Sequence, residues 1–154
     1  MDNSNIFLAV KAAIVGIFGA FGAAFGWLGW LVLAWIGCMV VDYISGSSAA
    51  MKAGQWSSAK ARGGIWHKAG MIVVVIVAAV ADNVLSLVVA SIPGISIEYT
   101  VLLLPMVLVW YILTELGSIL ENAAAMGAPV PEFLIRILAS AKEKVEVATG
   151  EDTE

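Results

Sequence analysis

The chain has 154 residues, enough for one domain; 61% are hydrophobic, only 13% are charged, and the formal net charge is −4. Soluble domains carry about 45–50% apolar and about 25% charged residues, so a mean hydropathy of +0.95 excludes an ordinary water-soluble domain and predicts an all-α integral membrane protein. The lone cysteine, Cys38, excludes an internal disulfide, and no CxxC or Cys/His spacing points to a metal.

A helix that crosses a bilayer needs about 20 mostly apolar residues. The first such stretch covers residues 6–25, interrupted only by Lys11. Ahead of it Asp2 is acidic and no basic run precedes the apolar core, so no cleaved signal peptide is expected. The second stretch covers residues 27–44, with Asp42 near its end. Only a few residues around Gly26 separate the two. The alternative for Ile6 to Val41 is one segment lying on the membrane surface followed by one span.

Glycines at 16, 19, 22, 26 and 29 punctuate this region. Gly22-xxx-Gly26 is a small-xxx-small pair, which permits close helix approach. Gly19, Gly22 and Gly26 are therefore candidates for an oligomer face, although glycine is common in membrane helices generally and Gly26 also suits a turn.

Residues 45–68 read as a basic loop holding Lys52, Lys60, Arg62 and Lys68. Trp56 and Trp66 are expected to anchor it at the headgroups, where an indole ring is buried and its N–H stays wet. Asp42, at the mouth of this loop, is predicted to meet water or to pair with Lys68 or Arg62. His67 is the single histidine and reads as a polar anchor, since a metal site needs several ligands.

The third span, residues 69–92, contains IVAAVADNVLSLVV, with Asp82 and Asn83 inside an apolar run. A charged Asp at the centre of a membrane helix costs about 2.5–3.5 kcal/mol on insertion scales. Asp82 is therefore expected to face the bundle interior, a subunit contact or water. With Asn83 it would act as polar glue or line an opening, or else be a hydrogen-bonded residue that fixes helix register. The fourth span, residues 97–120, has Glu98 at its start and Glu115 near its end and is expected to kink at Pro105; Glu115 and Asp42 join Asp82 and Asn83 as candidates for polar contacts in assembly or an opening.

Residues 1–122 thus form a transmembrane domain, and 123–154 a cytoplasmic amphipathic helix with an acidic tail. In PVPEFLIRILASAKEKVEVA (129–148), Leu134, Ile137, Leu138, Ala141 and Val145 recur at helical spacing. Glu132–Arg136 and Lys142–Glu146 are i,i+4 pairs. With four spans, all eight Lys and Arg fall on one side of the membrane: Lys11, the 45–68 segment and the C-terminal region. The positive-inside rule places that side, and both termini, in the cytoplasm. With three spans Lys11 would lie on the other side.

No G-x-S-x-G, HExxH, P-loop or dinucleotide-binding motif occurs, and nothing predicts an enzyme or a cofactor.

Several stretches together resemble a known family. Asp42-Tyr43-Ile44-Ser45-Gly46 is similar to a DYxTG-like signature, with serine where the family tends to have threonine. Ser57-Ser58, Gly63 or Gly64, Lys68 and Asp82 follow in order. Then come Glu115-Leu-Gly-Ser-Ile-Leu-Glu121-Asn122 and Gly127-Ala-Pro129-Val130-Pro131. From about Val40 to Leu138 the chain resembles the toxin-secretion/phage-lysis holin family. The resemblance implies a protein of the bacterial cytoplasmic membrane that associates with itself and opens lesions. Through these an endolysin reaches the cell wall or, in related members, a toxin is exported. Its implied partners are its own copies and the bilayer, with the endolysin a functional partner that needs no direct contact. Two further readings stay open: a small channel or transporter using the intramembrane acids, and a passive scaffold binding through residues 131–148.

Overall fold

The computed structural model describes residues 3–93 and 100–149. These form helices α1 (Asn3–Lys52), α2 (Ser58–Ser91), α3 (Leu103–Ala125) and α4 (Glu132–Thr149), with no strand among the described residues. By length and composition, α1, α2 and α3 can each cross a membrane. The acidic tail from Gly150, the Gly94-Ile95-Ser96 turn and Glu98 lie outside the described residues.

Helix α1 is broken at Gly26, whose φ of 60° and ψ of −143° are not helical. The break leaves an N-terminal arm (residues 3–25) and a second arm (27–52), where the sequence predicts the junction of two spans. A Cβ placed on Gly29 would lie 3.4 Å from the Gly22 Cα and 3.2 Å from the Phe21 carbonyl oxygen. In an unbroken helix residues 22 and 29 stand about 10 Å apart along the axis, so the chain folds back on itself here. Trp30 lies over Gly22, where a Cβ would meet its ring at 2.8 Å. The contact ends there: residues 4–20 are all exposed.

The second arm of α1, with α2 and α4, packs around α3, while α1 and α2 barely meet each other. The apolar core is small: Trp35 and Met39 of α1, Met71 and Val75 of α2, and Leu108 of α3, with Tyr111 stacked on Trp35 at 6.0 Å. Outward faces are as apolar as the inside. Ile72, Val73, Ile76, Val77, Val80, Leu87 and Val88 of α2 are all exposed. Continuous apolar exposure on this scale suits lipid, where a helix satisfies its own backbone and needs no water.

Two expectations are corrected. Residues 45–68 are not an irregular loop. Helix α1 continues to Lys52 and α2 begins at Ser58, so the connection is Ala53 to Ser57. Gly54, at φ 66°, makes the turn, and the Ser57 hydroxyl accepts from the Lys60 N–H to cap α2. Alanine and lysine are good helix formers, and they carry the helices past their apolar stretches.

Pro105 does not kink the fourth span either. The helix begins at Leu103, which puts Pro105 in its first turn, where a missing N–H breaks no intrahelical bond.

Candidate functional site

Two polar clusters tie the bundle together, and both use residues singled out in the sequence. The first joins three helices. Lys68 of α2 reaches Asp42 of α1 at 2.9 Å and both carboxylate oxygens of Glu115 of α3 at 2.6 and 2.7 Å. Asn122 of α3 donates to Asp42 Oδ1 and to the Ser45 hydroxyl, each at 3.1 Å. Glu115 is 4% exposed, and the side chains of Lys68 and Asp42 only 15% and 18%. Two carboxylates face one ammonium, so the cluster carries a formal charge of −1.

This cluster explains several signature residues. Gly46 lies against Asn122, where a Cβ would sit 3.4 Å from the amide nitrogen, in van der Waals contact, so alanine fits and only a bulkier side chain would crowd the amide that bonds Asp42. Tyr43 stands against Gly64 of α2. A cavity of about 200 Å³ adjoins the ion cluster, lined by residues that include Tyr43, Trp56, Lys60 and Ser118.

The second cluster is a helix cap built from a neighbouring helix. Asp82 is 3% exposed. Its Oδ1 accepts from the Leu102 and Leu103 N–H groups at 3.2 and 3.0 Å, and its Oδ2 from Leu104 at 2.7 Å. Every helix starts with N–H groups that have no partner inside it. Here Pro105 has no N–H to satisfy, and the Met106 N–H bonds to the Leu102 carbonyl at 3.3 Å. The start of α3 is thereby fully accounted for without water. That requirement explains a carboxylate in the middle of an apolar run, since an unsatisfied backbone donor in lipid costs several kcal/mol.

Asn83 does not join this cap. Its amide donates to the Ala79 carbonyl of its own helix at 2.8 Å, and the residue is exposed. Of the candidate glycines, Gly22 and Gly26 build the fold-back of α1, whereas no atom comes within 4 Å of a Cβ placed on Gly19. Gly29 makes the tighter approach to the backbone.

The far end of α3 accounts for more of the signature. Gly127, at φ 91°, donates to the Ala124 carbonyl at 2.8 Å, and Ala128 donates to Ala123 at 3.0 Å. This is a Schellman ending, which favours glycine at its left-handed position and proline soon afterwards. Pro129 and Pro131 follow it, and α4 starts at Glu132. Glu121 is exposed. The Lys52 ammonium donates to the Met126 carbonyl, placing a cation at the negative end of α3.

Helix α4 runs back along α3 rather than away from the bundle. The Trp110 indole N–H donates to Glu146 at 3.0 Å, and the Lys142 ammonium sits 4.7 Å from the centre of the Trp110 ring. Sequence reasoning missed these contacts, as well as the role of Lys52. Among the described residues no group of three or more His, Cys, Asp or Glu could hold a metal.

Apolar helices with lipid-suited faces, closed by polar clusters that leave little backbone unsatisfied, define an all-α membrane protein. A model of the bacteriophage holin family matches residues 19–143, and the chain belongs to that family. The uncharacterized protein BH0965 of Halalkalibacterium halodurans is 33% identical over 115 residues, covering 75% of each chain. No solved structure matches.

Proposed function

We propose that this protein is a holin of the bacterial cytoplasmic membrane. Copies accumulate there, associate, and pass from a harmless state to lesions wide enough for an endolysin to leave the cell. Export of a large toxin through such lesions is the corresponding activity at a toxin locus. The observation that carries this reading is the family match, which runs from within the first apolar stretch into α4. The geometry supports it over a channel that uses intramembrane acids: Asp42, Glu115 and Asp82 are engaged with Lys68, Asn122 and the start of α3.

In this reading the protomer crosses the membrane four times, with the two arms of α1 as separate spans and both termini in the cytoplasm. The test is induced expression in a bacterium, with and without a cytoplasmic wall-degrading enzyme lacking its own export signal. Abrupt depolarisation, with lysis only when the enzyme is present, is the expected result. Depolarisation without release of the enzyme points to small pores. If neither depolarisation nor lysis occurs despite confirmed membrane insertion, the reading fails.

A further inference from the structure

Helices α1 and α2 are joined by a short connection and yet barely touch. At the connected end the gap between them is the cavity of about 200 Å³ beside the ion cluster, where Ala50 of α1 and Ala61 and Gly64 of α2 leave the space open. Trp56 and Ser57 also line it, and both belong to the non-helical connection. Lipid-exposed backbone of that kind lies outside the hydrocarbon. The cavity therefore sits at the depth of the lipid headgroups, where tryptophan is favoured.

The two signs of charge lie on different walls. On the inner wall the Asp42–Glu115–Lys68 cluster holds one negative charge in excess, and Asp42 faces the cavity. An excess carboxylate charge at such low exposure calls for a further cation. Tyr43 and Trp56 line the same cavity, and aromatic faces attract ammonium groups. Toward the connection the sign reverses. Lys60 lines the cavity and is exposed, and Ser57 caps the start of α2, so the positive end of that helix opens here. Phosphate groups bind at such ends. Beyond the cavity, Ile36 and Val40 continue the face of α1 that carries Tyr43, and Ile72 continues the face of α2 that carries Lys68. All three are exposed and make an apolar track leading into the hydrocarbon.

We propose that this cavity binds the head of a zwitterionic phospholipid of the ethanolamine type. The ammonium meets Asp42 and the two rings, the phosphate meets Lys60 and the start of α2, and one acyl chain lies along Ile36, Val40 and Ile72. Such a head answers both signs of charge, whereas an anionic head brings the phosphate alone. The lipid supplies the packing that α1 and α2 do not give each other. The proposal goes beyond the holin reading and needs only that the chain sits in a membrane.

The test uses the purified full chain in detergent, stripped of lipid and then offered phosphatidylethanolamine or phosphatidylglycerol with the same acyl chains. Native mass spectrometry reads the lipid retained, and thermal unfolding reads its effect on the fold. Lys60→Gln removes the phosphate partner and Ala61→Phe fills the cavity. Arg62→Gln removes a neighbouring exposed cation that does not line it. The expected result is several-fold greater retention of phosphatidylethanolamine, with a raised unfolding midpoint. That preference disappears in Lys60→Gln and Ala61→Phe and persists in Arg62→Gln. Lys60→Gln, at an exposed position, decides the outcome if Ala61→Phe does not fold. Equal retention of the two lipids, or a preference that survives Lys60→Gln, overturns the proposal. Stronger retention of phosphatidylglycerol overturns the zwitterion assignment. Phosphoethanolamine without acyl chains is added as a competitor, and displacement of the lipid at equal concentration overturns the bilayer as the source of the ligand.

Discussion

Asp82 and Lys68 both sit in apolar surroundings, yet their removal has different remedies. Asp82→Ala leaves the Leu102, Leu103 and Leu104 N–H groups without their acceptor, and a buried unsatisfied donor costs about 1–3 kcal/mol. Asp82→Ala should therefore lower the thermal unfolding midpoint in detergent sharply. Asp82→Asn keeps one acceptor oxygen and should fall between Asp82→Ala and the parent chain. If Asp82→Ala melts like the parent, the cap is not supporting α3. For the ion cluster, Lys68→Met strands two carboxylates, and losing one partner of a buried ion group costs about 3–5 kcal/mol. Adding Asp42→Asn and Glu115→Gln to Lys68→Met removes the stranded charges and should restore most of the midpoint, because replacing a buried ion cluster with neutral groups is far less costly than breaking it. A triple variant no more stable than Lys68→Met would argue against this electrostatic account.

Each helix boundary reflects a local device, and here the sequence was read unevenly. The break at Gly26 was legible because two apolar runs are too long to be one span and glycine tolerates a turn. The pairing of Asp42 with Lys68 was legible because opposite charges flank one end of the apolar stretches. The start of α3 was misread, since Pro105 can mark either a kink or a first turn, and only the position of Asp82 on another helix decides between them. No pattern within one element reveals that Glu146 will reach Trp110. Gly26 supplies the prediction at this scale. Its φ of 60° with ψ of −143° belongs to a region that is essentially glycine-only, so Gly26→Ala should cost about 1–3 kcal/mol. Gly16→Ala, in open helical backbone, should be neutral or stabilising by up to about 1 kcal/mol. Thermal unfolding of the two variants side by side checks the contrast, and equal midpoints would mean the fold-back does not depend on Gly26.

At the scale of the whole molecule, the proposed four-span topology rests on the arrangement of cations. Gln55, in the short α1–α2 connection, lies at the same end of the bundle as Met126, and the holin reading puts that end and the C-terminus in the cytoplasm. A reporter active only in the periplasm should stay silent when fused to the C-terminus, and Gln55→Cys should resist an external impermeant thiol reagent until the membrane opens. Reporter activity at the C-terminus would reverse the assignment of sides. The break at Gly26 has a mechanical consequence as well. The N-terminal arm packs closely against the second arm near the turn and is exposed over residues 4–20, so it is a lever some 23 residues long that turns at Gly26. At about 1.5 Å per residue, each degree of rotation at the pivot swings the far end by about 0.6 Å. In the holin reading the exposed length of that arm meets lipid when copies are sparse and other copies when they are crowded, which would make the protomer's outline depend on its own concentration.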